Sequence, residues 1–235
     1  MSSFPRIKTC FDTTLTRFES GRAIQTLLAG EATARQYSAI LKQIYFQARE
    51  NPQIQAFATA HFRGSQRDSV RRFLQHATAE IGHDQLARND LEALGIDTQG
   101  LPAQSPSPTT IALTAFAYYQ TSHLNPVGYL GYLFFLEFMP TTAGERYCRQ
   151  LAGSGVPKEA MSFLLEHAHV DVAHNRLMEK YIETLVVTEA DIQSVCYAIQ
   201  VTGDLYARML DQAMFETDDA AHFGFAAEEQ ARLTA

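Results

Sequence analysis

The sequence predicts an all-α protein: a single compact helical bundle of about seven or eight helices spanning residues 1–235. Three observations carry this. Apolar residues recur at helical spacing, as where Tyr37, Ile40, Leu41, Ile44, Tyr45 and Ala48 follow the i, i+3, i+4, i+7 pattern. No run of alternating apolar and polar residues marks a strand. The chain is 46% hydrophobic and 19% charged, which supplies a sizeable core and argues against extensive disorder.

In chain order, the Tyr37 stripe predicts a helix ending near Asn51-Pro52, because proline cannot continue the hydrogen-bond ladder. A second long helix runs from about Asp68 to Leu94 and stops at Gly95. "DTQGLPAQSPSP", residues 97–108, is the clearest loop. Thr109 then begins a helix through "IALTAFAYYQTS". Asn125-Pro126 opens a very apolar central helix that ends in Pro140, since proline suits a first helical turn. A separate helix over about 142–152 ends at "GSGVP", and Pro157 opens the next, which contains "EHAHVDVAHNR". "TEAD" at 188–191 has the form of a capping box for a last long helix through Met214. From Glu216 the chain reads as a loosely held acidic tail.

A net charge of −7 disfavours a nucleic-acid footprint and gives no basic face for a membrane. The three cysteines, at 10, 148 and 196, form no paired motif, so a disulfide framework is not expected and a reducing cytoplasm is the default. "MSSFPRIKTCFDTT" lacks the apolar stretch of a signal peptide. The longest apolar run, "LNPVGYLGYLFFLEFMP", is short for a membrane span and contains Glu137.

The ionisable residues are distributed unevenly. At about 100° per residue, His167, Asp171 and His174 share one face of their helix, and His169 does not. That face also carries Phe163, Val170, Leu177, Met178 and Tyr181, the stripe expected to be buried. A second cluster, His76, Glu80 and His83, shares a face with Phe73, Ala77, Ala87, Leu91 and Leu94. Its His-x3-Glu-x2-His spacing repeats the His-x3-Asp-x2-His of 167–174. The third element is Glu137, alone on an apolar helix without a neighbouring lysine or arginine. Buried charges need partners. Carboxylates and imidazoles converging from several helices suit metal held in a bundle, and bridging carboxylates characterise dinuclear iron and manganese centres.

Taken singly, each residue has a plainer reading. His76 or His169 alone is read as a core histidine bonded to backbone, and Asp84 as an ion-pair partner of the nearby Arg71, Arg72 or Arg88. Together, Glu80, His83, Glu137, His167, Asp171 and His174 point to metal ligation.

The stretches "AEIGHDQLARNDLEALG", "NPVGYLGYLFFLEFMP" and "HAHVDVAH" give the chain, from about Ala32 to Met214, a resemblance to the heme-oxygenase-like diiron oxidases and oxygenases, the iron-containing redox enzymes. Their compact helical fold is shared with heme oxygenase, TenA proteins, the pyrroloquinoline quinone synthase and CADD-like proteins. The resemblance implies that the first stretch supplies Glu80 and His83 as ligands, the second Glu137, and the third His167, Asp171 and His174. Some members place the first glutamate two turns before its histidine, where His76 stands here; Glu80 and His83 match the shorter spacing of the undecene-forming fatty-acid decarboxylase.

The resemblance further implies two irons, or an iron–manganese pair, with dioxygen as co-substrate. The expected substrate is a small organic molecule such as an amine, amino acid or fatty acid, and the expected assembly a homodimer, without nucleic-acid or membrane partners. The competing expectations are a TenA-like or pyrroloquinoline-quinone-synthase-like enzyme, hydrolytic or cofactorless, and a non-catalytic metal- or ligand-binding protein. A TenA-like hydrolase would need a cysteine nucleophile beside a carboxylate. Heme oxygenase would use a proximal histidine near the N-terminus, and the first helical region has none.

Overall fold

The computed structural model describes residues 3–216, with the backbone alone over 169–174. The acidic tail beyond Glu216 therefore lies outside the described residues. Among the described residues there are nine α-helices joined by four short 3-10 turns, and no strand.

The first two helices precede the elements read from the sequence. α1 (Ser3–Glu19) buries Ile7, Phe11, Leu15 and Phe18, a stripe at three- and four-residue steps, and α2 (Arg22–Leu28) follows. α3 (Ala34–Thr59) opens with a reciprocal cap: the Thr33 hydroxyl accepts from Gln36 N at 3.2 Å and Gln36 Oε1 from Thr33 N at 3.0 Å. It does not stop at Pro52 as expected but runs on to Thr59. Ile54 and Ala58 beyond the proline are fully buried, and burial of that face outweighs one missing hydrogen bond.

The helix expected over 68–94 is two helices. α4 (Val70–Ala79) and α5 (His83–Ala93) are separated at Glu80-Ile81-Gly82, where Gly82 takes φ +100°, a conformation that glycine enters without penalty. α6 (Pro108–His123) is capped by the Ser107 hydroxyl. α7 (Tyr129–Gly153) merges two expected helices, because it passes through Pro140. Pro140 is itself buried, and the following Thr141 hydroxyl donates to the carbonyls of Glu137 and Phe138, satisfying polar groups in the disturbed turn. α8 (Ser162–Leu185) and α9 (Glu189–Phe215) complete the chain. α9 begins with the expected capping box between Thr188 and Asp191.

α7 is the axis of the bundle and packs against both α8 and α9. Its Phe134 and Phe138 rings stack at 4.0 Å, and Phe11 from α1 meets both edge-on. At Gly131 a Cβ would lie 2.2 Å from the Val195 carbonyl oxygen, so α7 and α9 touch backbone to backbone there. No helix among the described residues is long and apolar enough to cross a membrane. The apolar run around Glu137 lies inside the protein instead.

Candidate metal centre

Four helices aim polar groups at one region of this core. α4 supplies His76 and, as its C-cap residue, Glu80; α5 supplies His83 as its first residue; α7 supplies Glu137; α8 supplies His167. The break at Gly82 matters here. It ends α4 at Glu80 and restarts the chain at His83, placing both side chains on the same interior.

Two donor groups result, and Glu80 belongs to both. His76, Glu80 and Glu137 present ligand atoms within 4.8 Å of one another, as do Glu80, His83 and His167. His76 Nε2 stands 3.1 Å from Glu137 Oε1 and 3.5 Å from Glu80 Oε1. His83 Nδ1 stands 3.1 Å from the other oxygen, Glu80 Oε2. The His83 and His167 rings meet edge to face at 4.8 Å. His76, Glu80 and Glu137 are buried, whereas His83 and His167 are partly exposed.

Second-layer contacts fix the orientation of His167. Its Nδ1 lies 2.7 Å from the Phe163 carbonyl and donates to it, which leaves Nε2 with a lone pair. The start of α8 is held by Asp90 of α5. That carboxylate accepts from Ser162 N at 2.8 Å, Ser162 Oγ at 2.5 Å and Phe163 N at 2.9 Å. Burial pushes the Asp90 pKa up, and these bonds pull it back.

The electrostatics follow from the geometry. Burial alone would lower the His76 pKa, but hydrogen bonds and attraction from Glu137 and Glu80 outweigh it and raise it to about 9. Burial would raise Glu80, yet His76 and His83 hold it well below the usual carboxylate range. Imidazole is the cationic partner of both carboxylates among the described residues. Around them stand Phe73, Tyr129 and Tyr181: Tyr181 stacks on His76 at 6.3 Å and packs on Phe73 at 4.3 Å. The buried hydroxyls of Tyr129 and Tyr181 have no hydrogen-bond partner among the described residues, and burial holds their pKa values high.

Four of the six residues singled out by sequence, Glu80, His83, Glu137 and His167, thus stand together. The side chains of Asp171 and His174 lie outside the described residues, as does that of His169. His76, read alone as a core histidine, sits between two carboxylates; its place at i−4 from Glu80 was the signal. Asp84 forms no ion pair among the described residues and occupies the first turn of α5, where a carboxylate favours the helix dipole. A groove of about 540 Å³ runs between α3 and the α4–α5 turn, walled by Pro52, Leu74, Ala77, Ile81 and Gly82, with Arg49 and Asp84 among its polar residues.

The donor chemistry fits a metal. Imidazole nitrogen with carboxylate oxygen suits iron, manganese or zinc. A buried carboxylate turning one oxygen to each of two donor groups has the disposition of a bridging ligand.

An all-helical bundle with a histidine–carboxylate interior defines the class, the heme-oxygenase-like helical proteins. Solved structures show the same fold. A domain of unknown function with a heme oxygenase-like fold from Shewanella denitrificans superposes with TM-score 0.81 at 23% identity, covering 94% of each chain. A TenA homologue from Pseudomonas syringae pv. tomato gives 0.74 at 14% identity, over 89% of this chain and 91% of that one. Heme oxygenase from Leptospira interrogans gives 0.66 at 14%, over 90% and 100%. Within this class the sequence matches the iron-containing redox enzyme family over residues 38–207, and the chain belongs to that family. No curated protein matches it significantly.

Proposed function

We propose that this protein is a non-heme diiron oxidase or oxygenase that uses dioxygen to oxidise a small organic substrate, an amine, amino acid or fatty-acid-like molecule. The observation that carries the reading is Glu80, whose two oxygens face His76 and Glu137 on one side and His83 on the other. In this reading Glu80, His83, Glu137, His167, Asp171 and His174 hold two irons, or iron and manganese. Ferrous ions held by these residues would supply the electrons for reduction of dioxygen.

The chain's own residues do the rest. Glu80 spans the two donor groups, and Glu137 adds a second buried carboxylate. His167, its Nδ1 committed to the Phe163 carbonyl, offers Nε2. His76 carries a proton facing Glu137 and Glu80, which it would give up if those carboxylates took up a cation. Phe73, Tyr129 and Tyr181 exclude water, and the tyrosine hydroxyls remain protonated donors at the edge of the site. In this reading a substrate would approach by the groove beside the α4–α5 turn, whose walls at Ala77 and Gly82 adjoin His76 and His83 in sequence and whose polar residues include Arg49 and Asp84.

The TenA likeness raises a thiol-dependent hydrolase as the alternative. Cys148 does not favour it: burial first, then Asp90, push its thiol up to about 11, so it is a poor nucleophile at neutral pH. Metal analysis with oxygen uptake on ferrous-loaded protein tests the proposal. About two metals per chain and substrate-dependent oxygen consumption are expected. Protein that holds two irons and consumes no oxygen with any substrate class is a binding protein, and the proposal then fails.

A further inference from the structure

Cys10 and Cys196 are 186 positions apart in sequence, yet they meet where α1 lies along α9. Cys10 Sγ is 3.5 Å from the Cys196 carbonyl oxygen, and Gln200, one turn further along α9, brings its Nε2 to 3.8 Å from the same sulfur. Both cysteines are partly exposed, whereas Cys148 on α7 is buried. We propose that Cys10 and Cys196 are a peroxide-reactive dithiol that closes into a disulfide joining α1 to α9. The proposal is independent of the metal-centre reading, because neither cysteine is among the residues of that centre.

The two thiols differ in a way that assigns their roles. The Cys196 thiol, more than any other group, lowers the Cys10 pKa to about 7; burial opposes it, and Thr14, Gln200 and Arg17 assist. Cys196 is pushed far up, first by Cys10 and then by burial. The Gln200 amide 3.8 Å from its sulfur and the nearby Arg17 favour negative charge on Cys10, so Cys10 is assigned the attack and Cys196 the resolving step. The thiolate is the attacking species in sulfur chemistry, and to form it Cys10 gives up the S–H that it directs at the Cys196 carbonyl.

The oxidant is hydrogen peroxide or an alkyl hydroperoxide. The Cys10 thiolate attacks one peroxide oxygen; the O–O bond breaks, a sulfenic acid forms, and hydroxide or alkoxide leaves. Cys196 sulfur then attacks the sulfenic sulfur. The S–O bond breaks, the S–S bond forms, and the departing hydroxide takes the Cys196 proton to become water. Two sulfurs lose two electrons in total and the peroxide gains two. In a reducing compartment such a bond is transient, and it is restored to dithiol by thiol exchange.

The bond would reinforce a seam whose other polar ties include the exposed ion pairs Arg6–Glu189 at 2.7 Å and Arg17–Asp204 at 3.0 Å. It would close a loop that constrains nearly the whole unfolded chain, so oxidised protein should be harder to melt.

The test uses the full chain, metal-free to exclude metal-centred oxidation and metal-loaded in parallel, treated with stoichiometric hydrogen peroxide. Expected is the loss of two of the three thiols, a Cys10–Cys196 cross-linked peptide by mass spectrometry, retention of the Cys148 thiol, a raised melting temperature and full reversal by dithiothreitol. C196S should stop at a sulfenic acid on Cys10, trapped by dimedone, and C10S should leave Cys196 reduced. The proposal is overturned if wild-type protein keeps all three thiols at peroxide levels that oxidise free cysteine. It is equally overturned if Cys148 is consumed as fast as Cys10, or if C10S loses Cys196 at the wild-type rate.

Discussion

Removing the Asp90 carboxylate should unfasten the start of α8 and, through it, His167. Asp90 accepts three hydrogen bonds, from Ser162 N at 2.8 Å, Ser162 Oγ at 2.5 Å and Phe163 N at 2.9 Å. Phe163 in turn accepts from His167 Nδ1 at 2.7 Å. Bonds to a charged acceptor contribute about 1.5–3 kcal/mol each, so a simple sum reaches about 5–9 kcal/mol. Two effects reduce it. The burial that raises the Asp90 pKa reflects a desolvation cost already subtracted from the native state. Ser162 is partly exposed, so water replaces part of what it loses.

Asp90→Ala should therefore cost about 2–4 kcal/mol, more than the roughly 0.5–2 kcal/mol of a single lost helix cap, because one carboxylate serves three donors. For a chain of this length that lowers the melting temperature by about 5–15 °C. Asp90→Asn keeps the shape and one acceptor oxygen and should fall between. Calorimetry and urea unfolding give the stability, and titration with Mn(II) reports whether metal affinity falls as His167 loses its anchor. An Asp90→Ala protein within about 0.5 kcal/mol of wild type would refute this account of how α5 positions α8.

The raised His76 pKa, about 9 in the folded chain, implies a pH dependence of definite sign. Its unfolded value is about 6.5, so the stabilisation in metal-free protein is fully present below about pH 6.5 and is lost as pH rises through about 9. Metal affinity should move the opposite way over that window, tightening by up to about tenfold per unit as the displaced proton becomes easier to lose. Urea unfolding with chelator, and titrations in buffers of different ionisation enthalpy, measure the two slopes; His76→Gln should flatten both, and an unchanged slope rejects the proton assignment. Gly131→Ala would place a methyl 2.2 Å from the Val195 carbonyl and should cost about 3 kcal/mol or more, read as a lowered urea midpoint. A wild-type midpoint would mean that α7 and α9 are not in backbone contact there.

Much of the fold was legible because several elements carry their own local signals. The Thr188–Asp191 box announces α9, and the Ser/Pro-rich segment before Thr109 announces α6. The two missed helix continuations share one cause. Pro52 and Pro140 are correct local stop signals overridden by the burial of Ile54, Ala58 and Ala143 beyond them. The opposite error occurred at Gly82, where an unbroken apolar period concealed a break. In the site, helical phase turned His167 inward, and it grouped Glu80 with His83 although the turn at Gly82, not a continuous helix, brings them together. Phase also put His76 on that face but could not assign its role, because a histidine hydrogen-bonded to backbone and one lodged between two carboxylates look alike until α7 supplies Glu137. The Cys10–Cys196 contact is wholly non-local and leaves no trace in spacing.

Gly82 has one further consequence. The separation of His76 from Glu80 is set by the rise of a helical turn and can hardly vary, whereas that of Glu80 from His83 depends on the backbone angle of a single residue at φ +100°. The two donor groups are therefore joined by an adjustable coupling rather than ruled off along one rod. Any side chain at position 82 would favour a different angle, at a strain of about 1–2 kcal/mol if it stayed. Relief of that strain would swing His83 relative to Glu80 without moving Glu137. The spacing between the two halves of the centre is thus a quantity that one residue, itself no ligand, can tune.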